Sequence, residues 1–341
     1  MTADAEPLVS LPSQPAGVPW PTAAWPEAEA GPPGLDGLLD RAFTGVLERT
    51  RAVVVVHAGR LVASRYGADD GPGTLLPSWS MAKSVLQLLL GALVGDGLLD
   101  PDGPAGLPAW SAPGDPRAAI TVADLLRMRD GLDFAEDYVD GDTSDAIAML
   151  FGDGHRDVAA YAAARPLAAP PGERFSYSSG TTNLLSAVAA RCLGPATPVD
   201  RFLTDRILGP IGATSAVPGV DEAGTWVASS FLDMTAPDFA RVGLLALRGG
   251  VWDGRRLVPE GWVDRGRRPQ ATDPTNGVRY GEHWWVLDDG RGTFAALGYD
   301  GQILALCPAN DTIVLRLGSL GADDGPKLRA WALEVVGAFD G

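Results

Sequence analysis

Ser80 and Lys83 stand three residues apart in Ser78-Trp79-Ser80-Met81-Ala82-Lys83-Ser84, at the head of the apolar run Val85-Leu86-Gln87-Leu88-Leu89-Leu90. In a helix that spacing puts both side chains on one face, within reach of each other. A serine hydroxyl is a weak nucleophile and needs a base beside it. Lysine can be that base only where burial or cationic neighbours lower its pKa, and a helix packed into a core supplies burial. The helix amino terminus also stabilises negative charge developing near the serine. Taken alone, S-x-x-K is a weak signal, because chance matches are common and a surface lysine on a capped helix is the bland alternative. Composition sharpens the reading: the chain has two lysines, Lys83 and Lys327, against twenty-five arginines. A chain that writes arginine by default keeps a titratable amine three residues after Ser80.

Two further segments carry candidate chemistry. Phe175-Ser176-Tyr177-Ser178-Ser179-Gly180-Thr181-Thr182-Asn183 precedes the apolar stretch Leu184–Cys192. A tyrosine in a Ser/Gly-rich turn before a helix is poorly explained by packing, and its phenol could relay a proton between Ser80, Lys83 and a leaving group. The bland alternative is a turn tyrosine with Ser178 and Ser179 as helix caps. Leu297-Gly298-Tyr299-Asp300-Gly301-Gln302-Ile303 lies in a β-rich tail, where Gly301 would let the backbone approach a ligand closely. A plain hairpin turn reads equally well there.

The elements that must position these residues follow from pattern. Helix is expected at about 35–49, and strands at 52–57 and 60–66 around the Ala58-Gly59 turn. Short β-rich runs recur at 284–287, 293–297, 302–307 and 312–317, ahead of a last helix at about 327–339. Between these ends, 80–93, 122–128, 144–150, 157–164, 182–192 and 198–208 have helical spacing, separated by Pro/Gly-rich loops. Strands at both ends with helices between them imply a mixed α/β fold: an antiparallel sheet, flanked by helices, with an inserted all-helical domain. The expected division is an extended arm over 1–36, a sheet domain from 37–79 and 209–341, and a mainly helical domain over 80–208, with the site at their interface.

Together the three segments resemble the serine β-lactamase and penicillin-binding protein superfamily, with its S-x-x-K, Y-x-N/S and K-T-G-type motifs. The likeness is strongest to the class C-like branch of esterases and 6-aminohexanoate-dimer hydrolases, where S-M-A-K-S, Y-S-S-G and G-x-x-G-Q recur. Leu125-Leu126-Arg127-Met128-Arg129-Asp130-Gly131-Leu132-Asp133-Phe134, Gly243-Leu244-Leu245 and Tyr280-Gly281-Glu282-His283-Trp284-Trp285 match further phrases, in family order over about residues 37–338. The resemblance implies Ser80 as nucleophile, Lys83 as base partner and Tyr177 as general acid/base, with backbone N–H groups of Ser80 and Gln302 as the oxyanion hole. It also implies substrate contacts at Tyr138, Ser179, Tyr299 and Gly301. Two departures matter. Ser179 replaces the asparagine common in β-lactamases and D,D-peptidases, and Tyr299-Asp300-Gly301 replaces Lys-Thr-Gly, losing a lysine that holds the substrate carboxylate there. The implied activity is therefore cleavage of an amide or ester bond in a small molecule through an acyl-enzyme. β-Lactam or peptidoglycan cleavage, or a silent binding protein on the same fold, are the alternatives.

Composition sets bounds. Hydrophobic residues are 46% and charged residues 21% of 341, ordinary for a globular protein with a sizeable core. A net charge of −16 without a basic tract disfavours nucleic acid and anionic membrane surfaces. The first nineteen residues lack a basic-then-apolar leader and the apolar run near Val85–Val94 is too short to span a bilayer, so a cytoplasmic protein is expected. Cys192 and Cys307 read as reduced thiols. His57, His155 and His283 are scattered, which argues against a Ser-His-Asp triad or a metal site, and no cofactor is expected. Oligomeric state is open.

Overall fold

A computed structural model describes residues 7–138 and 143–341, and in it the strand-rich segments from both ends of the chain meet in one sheet. Its eight strands run, edge to edge, Arg60–Tyr66, Thr50–His57, Thr312–Gly318, Gln302–Cys307, Phe294–Gly298, Trp285–Val286, Arg279–Tyr280 and Ala271–Thr272. Every pairing is antiparallel. The first hairpin turns at Ala58 and Gly59, both left-handed, the backbone that a two-residue turn between right-twisted strands requires. Ala52–Val56 is a continuous apolar run because the sheet is covered on both faces. Alternation sends Ala52, Val54 and Val56 into a core shared with helices Met81–Gly95 and Ala236–Leu247. Val53 and Val55 enter a second core under the terminal helices Leu35–Arg41 and Gly325–Gly337. Each such valine or leucine contributes about 1.5–3 kcal/mol by leaving water.

Helices Val122–Leu126, Asp145–Phe151, Val158–Ala163, Ser179–Leu193 and Val199–Leu203 follow the Met81–Gly95 helix in one block, and their apolar faces join the first core. Local chemistry starts them where the sequence suggests. Thr121 and Asp124 form a reciprocal capping box, and Ser144, Asp157 and Ser178 each cap the helix that follows. Three details differ from expectation. The first helix ends at Arg41, because the chain breaks into a short turn at Gly45–Leu47 with Gly45 left-handed. The segment after Leu203 continues to Leu208 as a wider π turn. Helix Ala236–Leu247 is absent from the sequence expectations altogether. Its charges, Asp238 and Arg241, pair with each other one turn apart inside the protein instead of marking a solvent face.

The arm from Pro7 to Gly34 lies along the body and is tied at several points. Trp25 Nε1 donates to Pro237 O at 3.2 Å, Arg241 Nε to Pro21 O at 2.7 Å, and Trp252 Nε1 to Thr22 Oγ1 at 2.8 Å. The helical block is joined to the sheet by buried Glu282, whose carboxylate accepts from Arg127 Nε at 2.8 Å and Arg265 Nε at 2.7 Å. Cys192 and Cys307 are free thiols. Among the described residues no helix is long and apolar enough to cross a membrane.

Candidate active site

Ser80 occupies the N-cap of helix Met81–Gly95, and the preceding Trp79 has a left-handed backbone (φ 44°) that turns the chain sharply into the helix. The first-turn amides of Met81, Ala82 and Lys83 are taken up by the carbonyls of Ser78, Trp79 and Ser80 at 3.1–3.2 Å, which tightens the entry of the chain into the helix around Ser80. One turn on, Lys83 is 2% exposed. Its Nζ donates to Ser80 Oγ at 3.0 Å, Ser179 Oγ at 3.1 Å and the Ser229 carbonyl at 2.9 Å. These three contacts satisfy all the donors of an ammonium. Burial pulls its pKa down to about 8, against an opposing pull from the Glu136 carboxylate. At neutral pH a usable fraction of Lys83 is therefore uncharged, with a lone pair to aim at the Ser80 hydroxyl.

Tyr177 lies just ahead of Ser178, the N-cap of helix Ser179–Leu193. Its ring packs on Trp285 at 5.4 Å and Tyr280 at 5.9 Å between centroids, and the Lys83 ammonium sits 5.0 Å from its own. Burial, and then the Glu136 charge, push the phenol well above its ordinary pKa, while a hydrogen bond with Ser80 works the other way. Tyr177 thus starts as a protonated donor, and Lys83 is the group poised near neutrality. Ser80, Lys83, Tyr177 and Ser179, drawn from separate segments, are brought together here.

Sequence reasoning missed Glu136. Its Oε2 accepts the Ser179 amide at 2.7 Å and its Oε1 the Ser179 hydroxyl at 2.6 Å, and Tyr138 Oη donates to it as well. Ser179 therefore stands between Lys83 and a carboxylate, accepting from one and donating to the other. The available signal was the acidic stretch Glu136-Asp137 beside the singled-out Tyr138, but only the fold shows which carboxylate turns inward. Buried Ser229, which offers Lys83 its third acceptor, carried no signal at all.

Tyr138, Tyr299 and Trp79 form an aromatic wall, with Tyr299 4.8 Å from Tyr138 and 5.6 Å from Trp79 between ring centroids. Tyr299 is 48% exposed, open to an incoming molecule. Close backbone approach occurs at Gly298, where a Cβ would come within 2.4 Å of the Ser78 carbonyl. That contact lays the end of strand Phe294–Gly298, and Gln302 opposite Gly298 in register, against the Ser80 turn. Gly301 has a φ of 88°, which requires glycine, and a side chain there would meet Leu320 and the Arg316 guanidinium; with Tyr299 and Leu320 it also lines a cavity of about 290 Å³. The Gln302 side chain is spent on the turn itself. Its Nε2 donates to the Tyr299, Asp300 and Gly318 carbonyls at 3.0, 3.2 and 2.8 Å, and its Oε1 accepts the Gly318 amide. A cavity of about 330 Å³ adjoins Tyr177, lined also by Phe134, Glu136, Tyr138, Arg174 and Asp273.

The sequence model of the beta-lactamase family matches residues 39–337. A 6-aminohexanoate-dimer hydrolase of Paenarthrobacter ureafaciens is 29% identical over 315 residues, 83% of this chain and 75% of that protein. Among solved structures, a Bacillus anthracis protein proposed to be a 6-aminohexanoate-dimer hydrolase superposes with a TM-score of 0.77 at 23% identity. It covers 92% of this chain and 87% of its own. A family VIII carboxylesterase superposes with a TM-score of 0.69 at 16% identity, covering 90% and 99%. The two superpositions establish a shared fold.

Proposed function

Because the chain belongs to the beta-lactamase family and is a serine hydrolase of that family, we propose that Ser80, Lys83 and Tyr177 are its catalytic group and that it cleaves an amide or ester bond in a small linear molecule. The observation that carries this reading is a buried lysine, its pKa lowered to about 8, with its Nζ 3.0 Å from a helix-capping serine hydroxyl. Neutral Lys83 takes the Ser80 proton as Oγ attacks the carbonyl carbon. The amides of Ser80 and Gln302 face the resulting oxyanion, an arrangement that removes about 10²–10³-fold in rate when one donor is lost. Tyr177 passes its phenolic proton to the leaving nitrogen or oxygen and is reprotonated by Lys83, which returns to its neutral form. Water then attacks the acyl carbonyl, its proton is taken up through the same pair, and Ser80 leaves with a proton restored.

For substrate class, the aromatic wall and the loss of the motif lysine support small uncharged or linear substrates. In the resembled motif Tyr299 takes the place of the lysine that holds a substrate carboxylate, so β-lactams lose a charge-assisted hydrogen bond of about 1.5–3 kcal/mol unless Arg174, on the wall of the adjoining cavity, reaches their carboxylate. Likeness to a 6-aminohexanoate-dimer hydrolase of Paenarthrobacter ureafaciens supports linear amides beside short esters. The test is intact-protein mass spectrometry after a slow phosphonate or ester, with turnover of a p-nitrophenyl ester measured in parallel. Ser80→Ala is expected to lose both adduct and turnover while staying folded. Labelling that persists in Ser80→Ala would overturn the assignment.

A further inference from the structure

His283 is 1% exposed and has a left-handed backbone, with φ 61°. Three contacts radiate from it, each to a different helix. Its carbonyl accepts the Ser84 hydroxyl at 2.6 Å, and Ser84 directly follows Lys83. Its Nδ1 lies 2.9 Å from the Leu126 carbonyl at the end of helix Val122–Leu126. Its Nε2 lies 3.2 Å from Thr182 Oγ1, one turn beyond Ser179 on the helix that Tyr177 leads into. A carbonyl only accepts, so Nδ1 carries the hydrogen and Nε2 accepts from the Thr182 hydroxyl.

The segment that presents this ring is itself fixed. Glu282 is fully buried between Arg127 and Arg265, and its amide donates to the Gly266 carbonyl at 2.8 Å. The Lys83–Ser179 hydrogen bond joins the same two helices that His283 joins one layer deeper. We infer that His283 is a positioning residue: it sets the separation of the Ser80/Lys83 helix from the Tyr177/Ser179 helix and keeps water away from the inner side of Lys83. This rests on the catalytic reading above. The titratable groups facing the ring are Lys83 from the Ser80 helix and Tyr280, whose ring centroid is 6.4 Å away. Burial first, with Lys83 adding to it, lowers the imidazole to about 3, so His283 stays a neutral bridge across the working range.

His283→Asn is the variant to use, because asparagine accepts a left-handed backbone and removes the ring without adding backbone strain. Rates with a p-nitrophenyl ester, normalised to sites labelled by a fluorophosphonate, give kcat, KM and the pH dependence. Misplacing the helices by about 1 Å is expected to lower kcat by about 10²-fold, with KM changed less than about threefold. Water admitted beside Lys83 relieves the burial that lowers it, so the rising limb near pH 8 is expected to move upward, toward 10.5. A role in stability alone would lower the melting temperature and leave kcat per labelled site and the limb in place, which overturns the inference. If His283→Asn does not fold, Thr182→Val removes only the hydroxyl on Nε2 and carries the same test, with the same two outcomes. Wild-type activity that survives Ser80→Ala would instead overturn the catalytic reading itself, so the two failures are distinguishable.

Discussion

Glu136→Gln probes the electrostatics of the site with a change of one charge and almost no volume. Lys83 Nζ lies 3.1 Å from Ser179 Oγ, which lies 2.6 Å from Glu136 Oε1, so ammonium and carboxylate are less than about 6 Å apart. At that distance and an effective dielectric near 20, their attraction is about 3 kcal/mol, or about two pKa units on Lys83. Glutamine still accepts from the Ser179 amide or hydroxyl but no longer stabilises the ammonium. The sign is therefore downward: the Lys83 pKa, about 8 with Glu136 present, should fall by about one to two units. Activity that needs neutral lysine rises through that pKa, so the limb of kcat/KM moves to lower pH. At pH 7 the neutral fraction grows from about a tenth to between about half and about nine-tenths, while the weaker base lowers the plateau. The assay is initial rates with a short p-nitrophenyl ester from about pH 5.5 to about pH 9.5, corrected for spontaneous hydrolysis. A limb that stays put, or moves upward, refutes the reasoning, because it would mean Glu136 does not set the charge state of the base.

Other expectations follow from the same geometry. Lys83→Arg should retain under about a hundredth of wild-type turnover, since a guanidinium stays protonated and cannot accept the Ser80 proton; kcat above about a tenth of wild type excludes the base role. Wild-type kcat/KM should be higher for a p-nitrophenyl ester than for nitrocefin, and Tyr299→Lys should raise the nitrocefin value by about ten- to a hundredfold by restoring a cation for its carboxylate. Acid should destabilise the protein through His283. Its folded pKa is about 3 against an ordinary 6.5, so below pH 6.5 the unfolded chain takes a proton the folded one refuses, and stability falls as pH drops toward 3. Between pH 7 and pH 5 wild type should lose about 2 kcal/mol more than His283→Asn in urea unfolding; equal losses would mean the buried imidazole is not held neutral.

Placing a site on this fold leaves a clear division of labour. The helix N-terminus supplies a serine, one turn of helix supplies the lysine, and the turn leading into an adjacent capped helix carries the tyrosine. The loop from Phe134 to Tyr138 supplies charge. The aromatic pair Tyr138 and Tyr299 meets from two parts of the chain 161 residues apart in number. Specificity can thus change at Tyr299 or Tyr138 without disturbing the Ser80–Lys83 contact, which lies within a single helix.

What the sequence by itself determined was whatever is set by short separations. Ser80 and Lys83 share a face because a helix repeats every 3.6 residues, and Ser78 to Leu90 has helical spacing and an apolar body. The first hairpin was legible from two strand-like runs around Ala58-Gly59, and Ser178 was legible as a cap for the helix that follows Tyr177. Two lysines among twenty-seven basic residues pointed to Lys83 before any contact was known. Tertiary structure alone decided the rest. It selected Ser229, 146 residues from Lys83, as the third acceptor, turned Glu136 inward to Ser179, and made His283, 199 residues from Ser84, a bridge between helices. It brought the Gly298 backbone against the Ser78 carbonyl, and buried the charges of helix Ala236–Leu247 as an internal pair. These outcomes depend on which surfaces meet when the sheet closes from its two distant halves. Burial and the low local dielectric that shift the Lys83 pKa exist only after that closure, so no local pattern encodes them.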